Sequence, residues 1–161
     1  MSLLNMSDEK LEEFTLYDED HYSVIIQRIA SLSSDTKPEW GSMTAAQMMA
    51  HCAEIIAVMH GKPLLNTPFY VKILKGVIRK LVVDNNPYPR DSKTHPQYKQ
   101  TEEKKFQEEK LKLLNIMDEF VNDPKEEAAN KEHSLFGTMT REEKGWSMYK
   151  HTDHHLVQFG V

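Results

Sequence analysis

The chain has 161 residues, a length typical of one globular domain. Hydrophobic residues make up 39% and charged residues 28%, which excludes a disordered polymer and a chain of membrane-spanning helices. The formal charge is −5, and without a large basic patch we predict no nucleic-acid partner. The only cysteine, Cys52, leaves no intrachain disulfide, and no secretory signal or membrane span is apparent. These features predict a cytoplasmic protein without a membrane partner.

The N-terminal part of the chain is interpreted as an extension, residues 1–17, ahead of one helical domain, residues 18–161. Within the extension, Met1–Asn5 is consistent with a leader before a natural start at Met6. No internal repeat and no low-complexity linker divides the rest. We therefore expect a single packed unit.

Apolar residues at helical spacing mark five segments, whereas strand signals are weak throughout. Two segments begin with a capping box, in which Thr44 is followed by Gln47 and Thr140 by Glu143. The predicted helices are about Asp18–Ser33, Thr44–Met59, Phe69–Leu81, Gln100–Phe120 and Thr140–Phe159. The chain is thus predicted to be all-α, a four-helix bundle with long connecting loops and one short extra helix.

The last predicted helix carries two histidines four residues apart, His151 and His155, which therefore lie on one face. That face also holds apolar side chains, so both imidazoles are predicted to point inward, whereas His154 falls outside or at the edge. His51, at the rim of the apolar stripe of the second helix, is the best candidate for a third metal ligand. A hydrogen-bonded core histidine is the alternative, and the residues alone leave both interpretations open.

The other chemically active side chains are weaker candidates. The remaining histidines are interpreted as surface residues: His21, His60, His95 and His133. Cys52 is interpreted as a small buried apolar residue, and Asp153 is expected to point away from the histidine pair. The proline-rich loop Asp84–Pro96 either covers a site, with Asp84, Arg90 and Asp91 as candidate residues, or is a surface connector. No general base, catalytic triad or phosphate loop is apparent.

Two segments of the chain resemble the motifs of the DinB-like superfamily. The first is Trp40–Cys52, which contains His51, and the second is Phe136–Trp146, which leads into the pair His151 and His155. Their order and spacing resemble an uncharacterised, domain-of-unknown-function branch of that superfamily. The resemblance covers roughly Asp18–Val161, the whole predicted domain, and implies a four-helix bundle with a metal site at one end of its core.

The resemblance also implies His51, His151 and His155 as ligands of one divalent metal ion, with nickel or zinc expected. Some DinB-like proteins transfer or isomerise small substrates with a low-molecular-weight thiol, and dimers are common among them. We therefore expect a small-molecule substrate, of which a low-molecular-weight thiol is one candidate, and a homodimer. Three protein ligands leave coordination positions open, as in catalytic sites.

The predicted function is a metal-dependent enzyme that acts on a small molecule by thiol transfer or hydrolysis. One alternative is a metal-dependent ligand-binding or sensing module without catalysis. Another is a stable bundle whose metal is a structural relic. A second catalytic group beside the metal would separate the first hypothesis from the other two.

Overall fold

The computed structural model describes residues 14–161, without the side chains of residues 128 and 129. The predicted leader, Met1–Asn5, and most of the predicted extension lie outside the described residues. The described chain is all-α, as predicted, and none of its helices is both long and apolar enough to cross a membrane. Its helices are α1 (Glu19–Ser31), α2 (Ala45–Met59), α3 (Phe69–Ile73), α4 (Lys75–Val83), α5 (Phe106–Asn122), α6 (Lys125–Asn130) and α7 (Arg141–Gln158), with a 3₁₀ turn at Pro96–Tyr98.

Both predicted capping boxes are present, and they fix the starts of α2 and α7. The Thr44 hydroxyl accepts from the Gln47 amide at 3.2 Å, while the Gln47 side chain accepts from the Thr44 amide at 3.0 Å. Thr140 and Glu143 make the same reciprocal pair at 3.1 and 2.9 Å. Each box satisfies backbone N–H groups that would otherwise lack partners at the first turn.

Helix α2 lies at the centre of the core. It packs along α5 and also contacts α7, while α1 and α4 pack against α7. Cys52 is fully buried beside the Met48 sulfur, and burial raises the pKa of its thiol, so its interpretation as a buried apolar residue is confirmed. The largest fully buried apolar side chains of these helices are Ile25, Ile29, Met48, Met49, Ile56, Leu113, Met117, Phe120 and Leu156. Burying this much apolar surface is the main stabilising term of such a fold.

The residues just before α1 also pack on α7. Leu16 is buried, and its amide donates to the Gly145 carbonyl at 3.2 Å. Gly145 permits this close approach, because a Cβ there would collide with the Thr15 hydroxyl and with the Tyr17 ring. The glycine in the first half of α7 is thus explained by packing.

The structure departs from the predicted helix boundaries in three places. The segment predicted as one helix, Phe69–Leu81, forms α3 and α4, which meet at Leu74. Helix α5 begins at Phe106, where the periodic apolar residues begin, so the polar residues before it stay outside the helix. The sequence reasoning missed α6 and the 3₁₀ turn, both of which begin beside a proline, at Pro124 and Pro96.

Candidate metal centre

Helices α2 and α7 bring His51, His151 and His155 together at one point. One ring nitrogen of each histidine lies within 4.8 Å of a ring nitrogen of both others. The ring centroids are separated by 5.1, 4.8 and 4.6 Å. His51 and His155 are buried, and His151 is half-buried. Among residues 14–161, this is the one group of histidine, cysteine or carboxylate side chains with a geometry suited to a metal ion.

The tautomer of His51 follows from its outer hydrogen bond. Its Nδ1 lies 2.8 Å from the backbone carbonyl oxygen of Tyr98. A carbonyl can only accept, so Nδ1 carries the proton and Nε2 carries a free lone pair. That Nε2 faces Nε2 of His151 at 3.2 Å. His51 is therefore held with a donor atom directed into the cluster, in the arrangement typical of metal-binding histidines.

His155 is held in the same tautomer by a side chain one turn further along α7. Its Nδ1 lies 2.7 Å from Oε1 of Gln158, and Nε2 of Gln158 donates to the Trp40 carbonyl at 2.8 Å. The bond to Trp40 fixes which end of the amide is the oxygen, so Nδ1 of His155 is the donor. Its Nε2 keeps a free lone pair. Gly41 lies close to this side chain and has no Cβ, which would stand only 2.7 Å from Nε2 of Gln158. The glycine thus leaves room for the chain of hydrogen bonds from His155 through Gln158 to Trp40.

His151 is the member of the cluster whose hydrogen bonding is incomplete. Its Nδ1 is buried without a hydrogen-bond partner, and its Nε2 faces the lone pair of His51. With no cation, His151 has to direct an N–H at His51 and leave a buried acceptor unpaired, which is costly. A cation shared by the three rings removes the conflict between His51 and His151. The residues present therefore suit a bound metal ion.

The three imidazoles are held neutral, which is the form that binds metals. Burial is the first cause of the lowered pKa of His51 and of His151, and neighbouring histidines lower the pKa of both further. Burial, followed by the neighbouring His51, lowers the pKa of His155 to about 3. No proton therefore has to be displaced from these side chains near neutral pH.

His154 lies at the edge of the cluster and outside the group of converging nitrogens. It is half-buried, with its ring edge-on to Trp40 at 5.9 Å and to Tyr88 at 5.7 Å. This position agrees with the predicted choice of His151 and His155 as the inward pair.

Comparison with known proteins places the chain in a family. The family model described as "Protein of unknown function (DUF1569)" matches residues 10–160. The chain belongs to this family. No curated protein and no solved structure is significantly similar to the DUF1569 chain. The family description names no activity, so the function of the chain has to be inferred from the geometry of the site.

The proline-rich loop of the DUF1569 chain lies over the histidine cluster. Of the two alternatives for this loop, a cover or a surface connector, the structure agrees with the cover. Tyr88 lies edge-on to His151, with ring centroids 6.0 Å apart. The loop is fastened to α7 by Asp84, which accepts from Lys150 at 3.1 Å. Arg90 lies over the Trp40 ring, 4.2 Å from its centroid. Cation–π contact and a half-buried ion pair thus hold the cover in place.

Asp153 points away from the cluster, as predicted. Its carboxylate accepts from Arg28 at 2.6 Å, which joins α7 to α1. Asp84 is likewise engaged, since it binds Lys150. Among the residues whose side chains the structure describes, the converging histidines include no carboxylate partner.

Two histidines predicted to be surface residues, His95 and His133, are buried, so that prediction is wrong for both. In each ring Nδ1 accepts from backbone amides close in sequence: from Gln97 for His95, and from Leu135 and Phe136 for His133. Such turns satisfy the ring locally and allow it to be buried. The residue types could not predict that these two histidines are buried, because the groups that donate to their rings are main-chain amides.

His60 and His21 are half-buried rather than fully exposed. His60 lies 3.6 Å from Asp123 and 3.3 Å from the Lys131 ammonium, so it belongs to a separate ionic group. His21 stacks on Phe14 with centroids 4.8 Å apart. Neither ring belongs to the converging group.

A cavity of about 640 Å³ adjoins the cluster, and His51, His151, His154 and His155 line part of its wall. His95 and His133 line it as well. The sequence reasoning did not predict this cavity, because its walls come from α2, α3, α4, α7 and the covering loop together. The DUF1569 chain therefore combines a candidate metal site with space for a small molecule.

Proposed function

We propose that this DUF1569 protein binds one divalent metal ion through His51, His151 and His155, and uses it to act on a small molecule. The observation that carries the proposal is the tautomer of two of the rings. Tyr98 and Gln158 hold the Nδ1–H groups of His51 and His155, so both free lone pairs are on Nε2 within one compact cluster. Outer hydrogen bonds of this kind orient metal ligands and raise their basicity.

The proposed metal is nickel or zinc, because imidazole ligands suit both ions. A structural zinc site needs four protein ligands, whereas only three side chains converge among the described residues. The proposed site is therefore open, with its remaining positions available to solvent or substrate. Openness is the property that distinguishes a catalytic or ligand-binding site from a structural one.

The resemblance of the two histidine motifs supports a DinB-like architecture as part of the proposal. On that view α1, α2, α5 and α7, the four longest helices, are the bundle helices, with the histidines at one end of the core. The pairwise packing of α2 with α5 and α7, and of α1 with α7, supports this arrangement.

The proposed reaction is thiol transfer or hydrolysis of a small molecule, the first by analogy with DinB-like proteins. A bound divalent ion lowers the pKa of a thiol or water that binds to it. The chain's own residues contribute binding and orientation. The Tyr98 carbonyl and Gln158 fix the histidine rings, while Tyr88 and its loop cover the cluster from solvent.

A ligand-binding or sensing module is the second candidate, and one observation favours it. Asp153 on α7 and Asp84 at the start of the covering loop are two of the carboxylates on these segments, and both are paired, with Arg28 and Lys150. Neither is free to serve as a general base. A protein that binds metal and ligand but turns over neither thiols nor hydrolysable substrates would be this module.

Metal analysis of the full chain tests the proposal. Protein purified without chelator is expected to contain close to one nickel or zinc per chain, or to take up one when the metals are supplied. Chelation should remove the ion and leave most of the helical circular dichroism signal. The helices should persist because they are held together by an apolar core that does not depend on the metal. A chain that binds neither metal, or whose helices melt on chelation, would contradict the open site.

A further inference from the structure

The interior of the cavity beside the histidines is apolar. Its deep walls include Ile55, Met59, Val71, Ile78 and Met148, contributed by four different helices. At about 640 Å³ the cavity is in the size range of sites that enclose drug-sized molecules. A molecule bound there would exchange water for hydrocarbon over most of its surface.

Fixed charge is confined to the rim of the cavity. Apart from histidines, the charged side chains among the described lining residues are Asp91, Lys93 and Lys99, and all three are exposed. No arginine, the residue best shaped to bind phosphate or carboxylate in two-pronged fashion, is among them. The proposed metal would partner one head group, so any further charge on a ligand would lose its hydration without finding a partner in the interior.

The entrance to the cavity is apolar too. Tyr70 and Leu74 line the cavity and are also 58% and 48% exposed, so they mark its opening to solvent. Phe69, Ile73 and Val77 are exposed beside them on α3 and α4. Large exposed apolar patches on a folded chain are uncommon and often mark a binding groove. An apolar path thus leads from solvent to the histidine cluster.

We propose that the ligand of this site is a predominantly apolar, uncharged alkyl or aryl compound that presents one polar head group to the histidine-bound metal. The inference rests on the proposed function and narrows its substrate class. Among low-molecular-weight thiols it favours alkyl and aryl thiols over charged peptide thiols, and it disfavours phosphorylated compounds. The head group lies at the cluster of His51, His151 and His155, and the tail lies along α3 and α4.

Three hydroxamates with the same metal-binding head test the proposal on the zinc-loaded full chain. They are acetohydroxamate, hexanohydroxamate and the monohydroxamate of adipic acid, whose tail is as long as that of hexanohydroxamate but ends in a carboxylate. Calorimetry should show affinity rising by about fourfold for each added methylene, which is the effect of burying a CH₂ group. The carboxylate-ended probe should bind no more tightly than acetohydroxamate. Equal affinity of the alkyl probes, or tighter binding of the carboxylate, would overturn the proposal.

A matched pair of variants locates the tail. Leu74→Ser removes an apolar side chain at the entrance, and Leu111→Ser removes one that is 60% exposed on α5 and does not line the cavity. Leu74→Ser should weaken hexanohydroxamate severalfold and leave acetohydroxamate unchanged. Leu111→Ser should change neither. An equal effect of the two variants would contradict the assignment.

A metal-independent probe separates this proposal from the proposed function. N-phenyl-1-naphthylamine is uncharged and becomes fluorescent in apolar sites, and it needs no metal. If zinc fails to bind, the proposed function is contradicted. The apolar ligand class would still be supported if the probe binds saturably and if Leu74→Ser weakens that binding while Leu111→Ser does not. If zinc binds but the probe and the alkyl tails do not, the ligand class is wrong and the metal site stands.

Discussion

Helix α7 contributes residues to two buried polar clusters. The polar groups of the two clusters differ in how they find hydrogen-bond and charge partners. Near the start of the helix, an ionic cluster is formed by Lys131, Asp123 and buried Lys144. The Lys144 ammonium donates to the Lys131 carbonyl, and the Asp123 side chain, which is 6% exposed, accepts from the Lys131 ammonium at 2.6 Å. Burial lowers the pKa of Lys144, and the negative charge of Asp123 opposes that shift. Near the end of α7, His151 and His155 meet His51 with no carboxylate in the group.

The difference supports the proposal that the first cluster is structural and the second is a metal site. The ionic cluster has its own carboxylate, Asp123, which offsets part of the positive charge of its lysines within the protein. The histidine cluster directs the Nε2 lone pairs of His51 and His155 toward His151 and, among the described residues, holds no cation of its own to share them. Such a group is completed by a cation from outside. Altering the two clusters separately should therefore affect different properties.

The largest expected effect is the loss of a ligand. Alanine at His51, His151 or His155 should each weaken zinc or nickel binding by more than about a hundredfold, beyond the loss typical of an outer partner. His154→Ala is the matched control, because its ring lies at the edge of the same helix face and outside the converging group. Competition with a chromophoric chelator gives the affinities. A large loss in His154→Ala with little in His155→Ala would show that the assigned inward face is wrong.

The ionic cluster should show the reverse pattern. Asp123→Asn leaves the Lys131 ammonium without its carboxylate and removes a negative charge that acts on buried Lys144. The free energy of unfolding should fall by about 2–3 kcal/mol, less than the roughly 3–5 kcal/mol of a fully buried pair, because Lys131 is one-third exposed. Metal affinity should be unchanged. Urea unfolding of the metal-free chain measures the first quantity and chelator competition the second. A change in metal affinity would mean that the two ends of α7 are coupled.

The sequence predicted the parts of the site that depend on local spacing. His151 and His155 share a face because they are one turn apart, and the capping box of Thr140 fixes where that helix begins. The outer partner of His51 could not be predicted, because the Tyr98 carbonyl comes from a 3₁₀ turn 47 residues away. The burial of His133 also escaped prediction, since main-chain amides in a loop satisfy its ring. Contacts between distant main-chain groups leave no trace in residue spacing.

Gln158 provides a test of the outer hydrogen bonds at the histidine cluster. Gln158→Met removes the acceptor for His155 Nδ1–H at similar volume, so metal affinity should fall by roughly 10- to 100-fold. Gln158→Glu keeps an acceptor for His155 but loses the donor to the Trp40 carbonyl, and its metal affinity should exceed that of Gln158→Met. Chelator competition ranks them. Equal affinities in both variants and the parent would show that this chain of hydrogen bonds does not orient the ligand.

His133 should make the stability of the metal-free chain depend on pH. Burial lowers the pKa of its ring to about 4, whereas an unfolded histidine has a pKa of about 6.5. Between these values the unfolded chain binds the proton and the folded chain does not, so this contribution is full above about pH 6.5 and is lost as the pH falls toward 4.

The expected loss at pH 4.5 is about 2.5 kcal/mol for His133 alone, since each unit between the unfolded pKa and the pH corresponds to about 1.4 kcal/mol. His133→Asn is the matched variant, because an amide oxygen also accepts from the amides of Leu135 and Phe136 but does not titrate. Urea unfolding from pH 7 to 4.5 should therefore show a smaller loss in the variant than in the parent. Parallel pH profiles would place the titration at other groups.

The smallest expected effects concern how the start of α7 is held. Glu143 accepts from the Thr140 amide in the capping box and also binds Arg79 of α4 at 2.9 Å. Its carboxylate therefore both caps α7 and links α7 to α4. Thr140→Ala removes the hydroxyl cap and should lower the free energy of unfolding by about 1 kcal/mol. Glu143→Gln keeps a capping acceptor and loses only the ion pair, which is about one-third exposed, so about 0.5 kcal/mol is expected.

Both changes lie one turn or less from Lys144 and far along α7 from His151 and His155. If the two clusters are independent, hydrogen exchange should quicken in the first turns of α7, around the ionic cluster, and stay slow around the histidines. Metal affinity should then equal that of the parent. Faster exchange along the whole helix, together with weaker metal binding, would show that α7 behaves as one rigid unit and that its cap helps to hold the ligands in place.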